Sequence, residues 1–173
     1  MSRLYALAAT ATETADHFGA GGDIDIAVPS ETVEACPGLV VRETNGRRLL
    51  GQMLWGFPRL TREMRLRGEP PGRIGLVADL TNPMWDSLVV ETKYRCLIPL
   101  THFANPNGTP GEKTRSWFSL EGQPIMAWAG FCKNTAEFGP VYAGMTMDAN
   151  DAVMPYNDRM PVLLEPHEYE RWL

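Results

Sequence analysis

Three cysteines, Cys36, Cys96 and Cys132, are too few and too scattered for a disulfide framework or a zinc site, and no C-x-x-C pair occurs. A reducing compartment fits that usage, so a cytoplasmic location is expected. Long apolar runs are missing as well: none approaches the roughly 18 residues of a membrane span. The start, Met-Ser-Arg-Leu-Tyr-Ala-Leu-Ala-Ala-Thr, is apolar for a few residues, but no signal-peptide core follows. A P-loop, a G-x-G-x-x-G turn and any metal-ligand spacing are absent, so neither a cofactor nor a metal is expected. Positive charge is also in deficit. Sixteen Lys and Arg face 21 Asp and Glu, for a formal net charge of −5, which is not the overall signature of a nucleic-acid binder.

The charge that exists is unevenly placed. Between Arg42 and Arg73 stand Arg42, Arg47, Arg48, Arg59, Arg62, Arg65, Arg67 and Arg73, against Glu43, Glu63 and Glu69. From Asp148 onward, acids outnumber Arg159 and Arg171. A basic middle and an acidic end make either a two-faced molecule or a solvated Arg-rich loop. The length of 173 residues fits one domain, 1–173, able to bury about 70% of its unfolded surface.

Along the chain, Arg3–Leu7 reads as a short strand. Thr10 to Gly19 reads as a short helix, with Thr10 or Thr12 as its cap and Gly19 as its stop. Leu39–Trp55 is a hairpin about Asn45-Gly46, the strongest turn signal present. Pro58–Gly72, rich in Arg, Pro and Gly, reads as a loop or a poorly ordered flap. Asn82 opens a short helix. Arg95–Pro99, Thr101–Phe103, Ser116–Leu120, Ile125–Cys132 and Val141–Met147 read as strands. Asn105–Gly111 reads as a turn-rich loop, and Pro166–Leu173 as a terminal helix. Many short strands with few helices predict an α+β domain dominated by an irregular, mainly antiparallel sheet or barrel.

Several short motifs fall in a specific order: Met53-Leu54-Trp55-Gly56-Phe57-Pro58, then Asn82, then Tyr94-Arg95-Cys96-Leu97-Ile98-Pro99. An apolar strand ending at Gly130, a strand bearing Thr146, Asn157-Asp158-Arg159-Met160-Pro161 and Tyr169-x-x-Trp172-Leu173 follow. In this order the chain resembles the SOS response-associated peptidase family, also called abasic-site-processing proteins, over nearly its whole length. The resemblance implies a compact sheet pseudo-barrel with a groove for single-stranded DNA. It also implies a cysteine at residue 2, freed by loss of the initiator methionine. That cysteine attacks the ring-opened aldehyde of an abasic site and closes a thiazolidine crosslink, assisted by a glutamate, a histidine and an asparagine.

At the matching positions the chain departs from the pattern. The cysteine position is Ser2. The Phe-Tyr-Glu-Trp motif aligns with Phe103-Ala104-Asn105-Pro106, so the glutamate is Asn105. The His-x-Arg-Met-Pro motif aligns with Asn157 to Pro161, so the histidine is Asn157. The Asn-Ala-Arg motif aligns with Asn82-Pro83-Met84, keeping the asparagine and losing the arginine. Ser2, Asn82, Asn105 and Asn157 are therefore the candidate catalytic positions, and Trp55, Arg59, Arg62, Thr146 and Arg159 the candidate DNA contacts. A hydroxyl needs a general base to attack, and asparagine cannot take a proton. General acid–base help contributes about 10²–10⁴-fold, so its loss together with the thiol argues against efficient crosslinking or peptide hydrolysis. The Ser2 α-amine, with an ordinary pKa near 8, retains the capacity for a reversible imine with an aldehyde.

Other residues have two readings. Trp55 stacks on a base or is an ordinary core tryptophan. Arg159 forks onto a phosphate or pairs with Asp158 or another carboxylate. His102, three residues before Asn105, is a displaced base or a strand histidine. Cys96 reads as a buried structural thiol. Three functions stay open: a degenerate abasic-site protein binding single-stranded DNA as a monomer, an active N-terminal-nucleophile enzyme, and a non-enzymatic interaction module using the groove for a protein or small ligand.

Overall fold

The computed structural model describes residues 1–112 and 114–173. The chain opens with β1 (Leu4–Ala6) and α1 (Ala11–Phe18). Thr10 caps α1 by accepting from the Glu13 N–H, and Gly19 ends it in the left-handed region at φ 59°. Its buried residues Ala11, Thr14, Ala15 and Phe18 follow the i, i+3, i+4, i+7 spacing of one helix face. The short strands β2 (Gly21–Gly22) and β3 (Glu31–Val33) follow. Then comes the expected hairpin, β4 (Pro37–Thr44) and β5 (Arg47–Trp55). Asn45 and Gly46 both have positive φ, 53° and 72°, as a two-residue hairpin turn of matching twist requires.

The next segment corrects the expectation of a loop or flap over 58–72. It is a ribbon of β6 (Phe57–Arg59) and β7 (Gly72–Ile74), bridged by α2 (Arg62–Leu66), which Thr61 caps. No residue of α2 is buried. After β8 (Leu76–Val77), a single turn of 3₁₀ helix at Pro83–Trp85 leads into α3 (Asp86–Val89). The long strands come next: β9 (Arg95–Leu100), β10 (His102–Asn107), β11 (Thr114–Phe118), β12 (Met126–Thr135) and β13 (Gly139–Asp148). Strand β10 runs past Asn105, so that residue sits in a strand and not in the loop expected there. The chain closes with β14 (Arg159–Pro161), β15 (Leu163–Leu164), a 3₁₀ turn at Pro166–Glu168 and α4 (Tyr169–Trp172).

The main sheet runs β13-β12-β9-β4-β5, antiparallel throughout, and β5 then pairs in parallel with β13 through Leu54↔Val141 and Tyr142↔Trp55. That last pairing closes a ring of five strands, an irregular barrel within an α+β domain. Alternation along the strands sorts side chains to two faces. Val40, Trp55, Cys96, Ile98, Trp128 and Tyr142 form the inner cluster. Leu39, Val41, Leu97 and Ala127 point outward onto α1, Tyr169 and Leu173. Phe131, Val141 and Ala143 face Phe57, Val77, Trp85 and Leu88 on another side. A second sheet, β11-β10-β1-β3, carries Tyr5 into the inner cluster.

The aromatic interior demands small residues around it. A Cβ on Gly144 would lie 1.9 Å from the Trp128 ring, and one on Gly38 2.0 Å from the Tyr142 hydroxyl. Gly51, by contrast, has open space where a Cβ would go. Gly144→Ala is therefore expected to lower stability by about 1–3 kcal/mol, the usual cost of forcing atoms into a packed core. Gly51→Ala is expected to be neutral or to stabilise by up to about 1 kcal/mol. Urea unfolding of both variants checks this: the Gly144→Ala midpoint falls with the slope unchanged. Equal midpoints would mean that the Trp128 ring has room to move.

Candidate functional site

Strand pairing determines where the N-terminus lies. Tyr5 stands opposite Phe103 and Ala6 opposite His102, and this register carries Ser2 alongside Ala104 and Asn105. The Ser2 N–H lies 3.1 Å from Asn105 Oδ1 and 3.3 Å from the Ala104 carbonyl. The Met1 ammonium donates to Asn157 Oδ1 at 2.8 Å. Ser2, Asn105 and Asn157, from distant parts of the chain, thus share one site. Asn157 Oδ1 also accepts from the Arg159 N–H at 2.9 Å, in an Asx-type turn that orients its amide.

The electrostatics of the site are mild. Asn105 is fully buried, and its Nδ2 has no hydrogen-bond partner among the described residues. The site therefore holds a desolvated donor, a group that gains from an acceptor oxygen. The Met1 ammonium pKa is lowered, first by desolvation and then by Arg159, with Asp158 opposing. A lowered pKa means a larger neutral, nucleophilic fraction of the amine at a given pH. None of Ser2, Asn105 and Asn157 is a proton-accepting base, so the arrangement offers an amine, hydrogen-bond donors and acceptors.

The other candidates lie elsewhere or are engaged. Asn82 is exposed, and its Oδ1 accepts from the Met84 N–H at 3.1 Å, capping its own turn. Among the described residues no hydrogen bond ties it to the Ser2 group. Trp55 corrects the base-stacking expectation. It is 0% exposed, donates Nε1–H to the Gly75 carbonyl at 2.8 Å, and packs on Tyr5, Trp128 and Tyr142. No ring face is left for a base, because a tryptophan at the closing β5–β13 pair points inward.

Arg159 likewise directs its fork into the protein. It pairs with Asp148 at 2.8 Å, rather than with Asp158, and donates to the carbonyls of Ala78 and Thr146 and to Thr146 Oγ1. Thr146 in turn donates to the Val77 carbonyl at 3.1 Å. These two residues brace β14 against β13 and β8. His102 lies one residue out of phase with Phe103 and Asn105, so alternation turns it to the other face of β10, where Nδ1 meets Thr101 Oγ1 at 3.0 Å.

The arginine-rich middle divides into separate groups. Arg59, Arg62, Arg65 and Arg67 are exposed on the β6–α2–β7 arm. Arg48 donates to the Phe18 carbonyl at the end of α1, and Arg73 stacks over Phe138 at 3.8 Å. The arm is the element that the sequence reading missed. The cap signal Thr61-x-x-Met64, before a short run of good helix formers, would have located its helix.

Comparison with known proteins places this geometry. The profile described as SOS response associated peptidase (SRAP) matches residues 1–173. No curated protein matches the sequence. Solved structures are similar in fold at low identity. A protein from Bordetella bronchiseptica has a TM-score of 0.79 at 19% identity, covering 99% of this chain and 87% of that one. A protein from Bacteroides thetaiotaomicron has a TM-score of 0.76 at 17% identity, covering 99% and 80%. A phage-related protein from Bordetella bronchiseptica has a TM-score of 0.68 at 16% identity, covering 98% and 80%. No helix of the described residues is long and apolar enough to cross a membrane. With a match over its full length and a barrel that carries the N-terminus to the two asparagines, the chain belongs to the SOS response-associated peptidase family.

Proposed function

We propose that this protein binds single-stranded DNA bearing an abasic site and holds it reversibly, with durable crosslinking lost. The observation that carries this reading is the convergence of Ser2 on Asn105 and Asn157, at 3.1 Å and through the neighbouring Met1 ammonium at 2.8 Å. At the positions where the family resemblance implies a thiol, a carboxylate and an imidazole, this chain has a hydroxyl and two amides.

The reading gives each residue a limited role. After removal of Met1, the Ser2 nitrogen becomes the α-amine, and Asn105 Oδ1 and the Ala104 carbonyl orient its N–H groups. Its lone pair adds to the aldehyde carbon. Proton transfer and loss of water from the carbinolamine then give an imine, which water reverses. Asn105 Nδ2, buried and without a partner among the described residues, is assigned as the donor to the aldehyde oxygen. Asn157 Oδ1 offers a second acceptor near the amine. Without sulfur, ring closure depends on the serine hydroxyl, a far poorer nucleophile than a thiolate. Asn82, exposed on its own turn, is proposed as a contact to the DNA strand away from the amine. DNA contacts are assigned to Arg59 and Arg62 on the exposed arm, where guanidinium groups can follow a phosphate backbone.

Two experiments test the reading. An oligonucleotide with one abasic site is mixed with the native protein and with Ser2→Cys, with and without borohydride. Ser2→Cys is expected to form a stable band without reductant, and the native protein a band only with it. Adding Asn157→His to Ser2→Cys is expected to raise the crosslinking rate by about 10²-fold. No band from any of these proteins would overturn the lesion reading and leave a protein-interaction module in its place. In the second experiment, Arg59→Ala with Arg62→Ala is expected to weaken single-strand binding without moving the unfolding midpoint. It should also reduce the slope of log K against log salt by about 0.7 per lost phosphate contact. An unchanged slope would remove the arm from the DNA path.

A further inference from the structure

A groove of about 640 Å³ opens between the β4–β5 hairpin and the far ends of β12 and β13. Its cationic wall is Arg42, Lys93 and Lys133, with Glu43 the one acid among its lining residues, and Cys132 reaches it from the inner face of the barrel. The strand registers explain why a thiol sits here. Val41 pairs with Leu97, so the next residues along, Arg42 and Cys96, share the opposite face of β4 and β9. Gly130 stands opposite Cys96, and Cys132, two residues on, projects from that same face as its diagonal neighbour. Tyr94 stands among the cations, with Lys93 Nζ 5.0 Å and Lys133 Nζ 5.7 Å from its ring centre.

We propose that this groove is a second reactive site, in which Cys132 exchanges with a small anionic disulfide held by Arg42, Lys93 and Lys133. The Cys132 sulfur, as thiolate, attacks one sulfur of the small disulfide. The disulfide's S–S bond breaks, a bond from Cys132 to one half forms, and the other half leaves as its thiolate. Cys132 is oxidised and the reagent reduced, so no further oxidant is needed.

Four observations favour this chemistry. The volume lies in the range of small-molecule sites, about 300–1,000 Å³, far more than a peroxide needs. Arg42, Lys93 and Lys133 outnumber Glu43 in the lining, and although Lys93 also pairs with Glu91 at 2.9 Å, the balance stays positive and favours carboxylate-bearing ligands. Cys132 is 4% exposed and lines the groove, the approach assigned to the reagent. Its pKa is lowered, first by a hydrogen bond from Cys96 and then by Arg42, against the opposing effect of burial. The Cys96 thiol, fully buried, is held well above its ordinary value, so it remains the protonated partner that donates. Thiolate character of this kind is what makes a cysteine react.

The test uses the full chain with glutathione disulfide as the anionic probe and hydroxyethyl disulfide as the neutral one, and maps adducts by peptide mass spectrometry. Cys36, exposed and outside the groove, is the internal reference. Cys132 is expected to react about tenfold faster with the anionic probe than with the neutral one, a preference that falls as salt rises. Lys93→Ala with Lys133→Ala, at exposed positions outside the core, is expected to remove most of that preference. Cys132→Ser is expected to lose the adduct. Adducts on Cys36 alone, or equal rates at Cys132 with both probes, would overturn the proposal. Because the lysine variants leave the core untouched, they decide the question even where Cys132→Ser folds poorly.

Discussion

The short hydrogen bond between Tyr5 and Tyr142, 2.5 Å between hydroxyl oxygens in the buried interior, ties the N-terminal strand to the barrel. It anchors the strand that carries the N-terminus to the site. Tyr5 lies in β1, three residues after Ser2, and Tyr142 lies in the β5–β13 pairing that closes the ring. A buried phenol without a partner would be costly, so the two hydroxyls satisfy one another, and desolvation holds both phenols above their ordinary pKa. Neither ionises near neutral pH, and the link is insensitive to pH there. Gly38 passes where the two hydroxyls meet, because no Cβ fits at that point. The same economy appears in the tryptophans: Trp55 and Trp128 each donate to a nearby backbone carbonyl, at 2.8 and 2.7 Å. The interior is apolar in bulk and satisfied at its polar tips.

That anchoring separates position from reactivity. The β1–β10 register brings the backbones of residues 2 and 105 together whatever their side chains, while the Asx turn at 157 is made by the Asn157 amide itself. Proton transfer is a property of residue type, and Asn105 and Asn157 cannot supply it. What remains is orientation: acceptors toward the amine nitrogen and one desolvated donor beside it. Orientation alone contributes when two reactants are already bound.

Local signals in the sequence were legible where the cause was local. Thr10 and Gly19 bound a helix because a cap acceptor and a left-handed residue act within one turn. Asn45-Gly46 makes a hairpin for the same reason. The α+β class followed from counting such elements. The parallel pairing of Trp55 with Tyr142 joins residues far apart in sequence, and no local pattern encodes it; without it, Trp55 was as readily a base-stacking residue as a core one. The two readings of the Arg159 fork stayed open in the sequence for a related reason, and the ion pair is the one the fold forms. A guanidinium suits a phosphate and a set of carbonyls equally well, and only the fold brings Ala78, Thr146 and Asp148 within its reach. Asn105 was placed in a loop because Asn-Pro-Asn-Gly is turn-rich, yet pairing with β11 extends the strand through Asn107. Family resemblance named Ser2, Asn105 and Asn157; the register explains why they meet.

The bracing of Arg159 also bears on why the site keeps its shape without its acid–base groups. Two residues after Asn157 stands Arg159, whose side chain is tied to β13 and to the chain after β8. Its backbone N–H completes the turn that aims Asn157 at the N-terminus. A site residue on so constrained a segment is held by its backbone as well as by its own bond from Arg159. An imidazole at 157 would keep the braced backbone and lose the carboxamide oxygen that closes this turn. The braced backbone and the amide together thus hold a preorganised acceptor against the N-terminal amine.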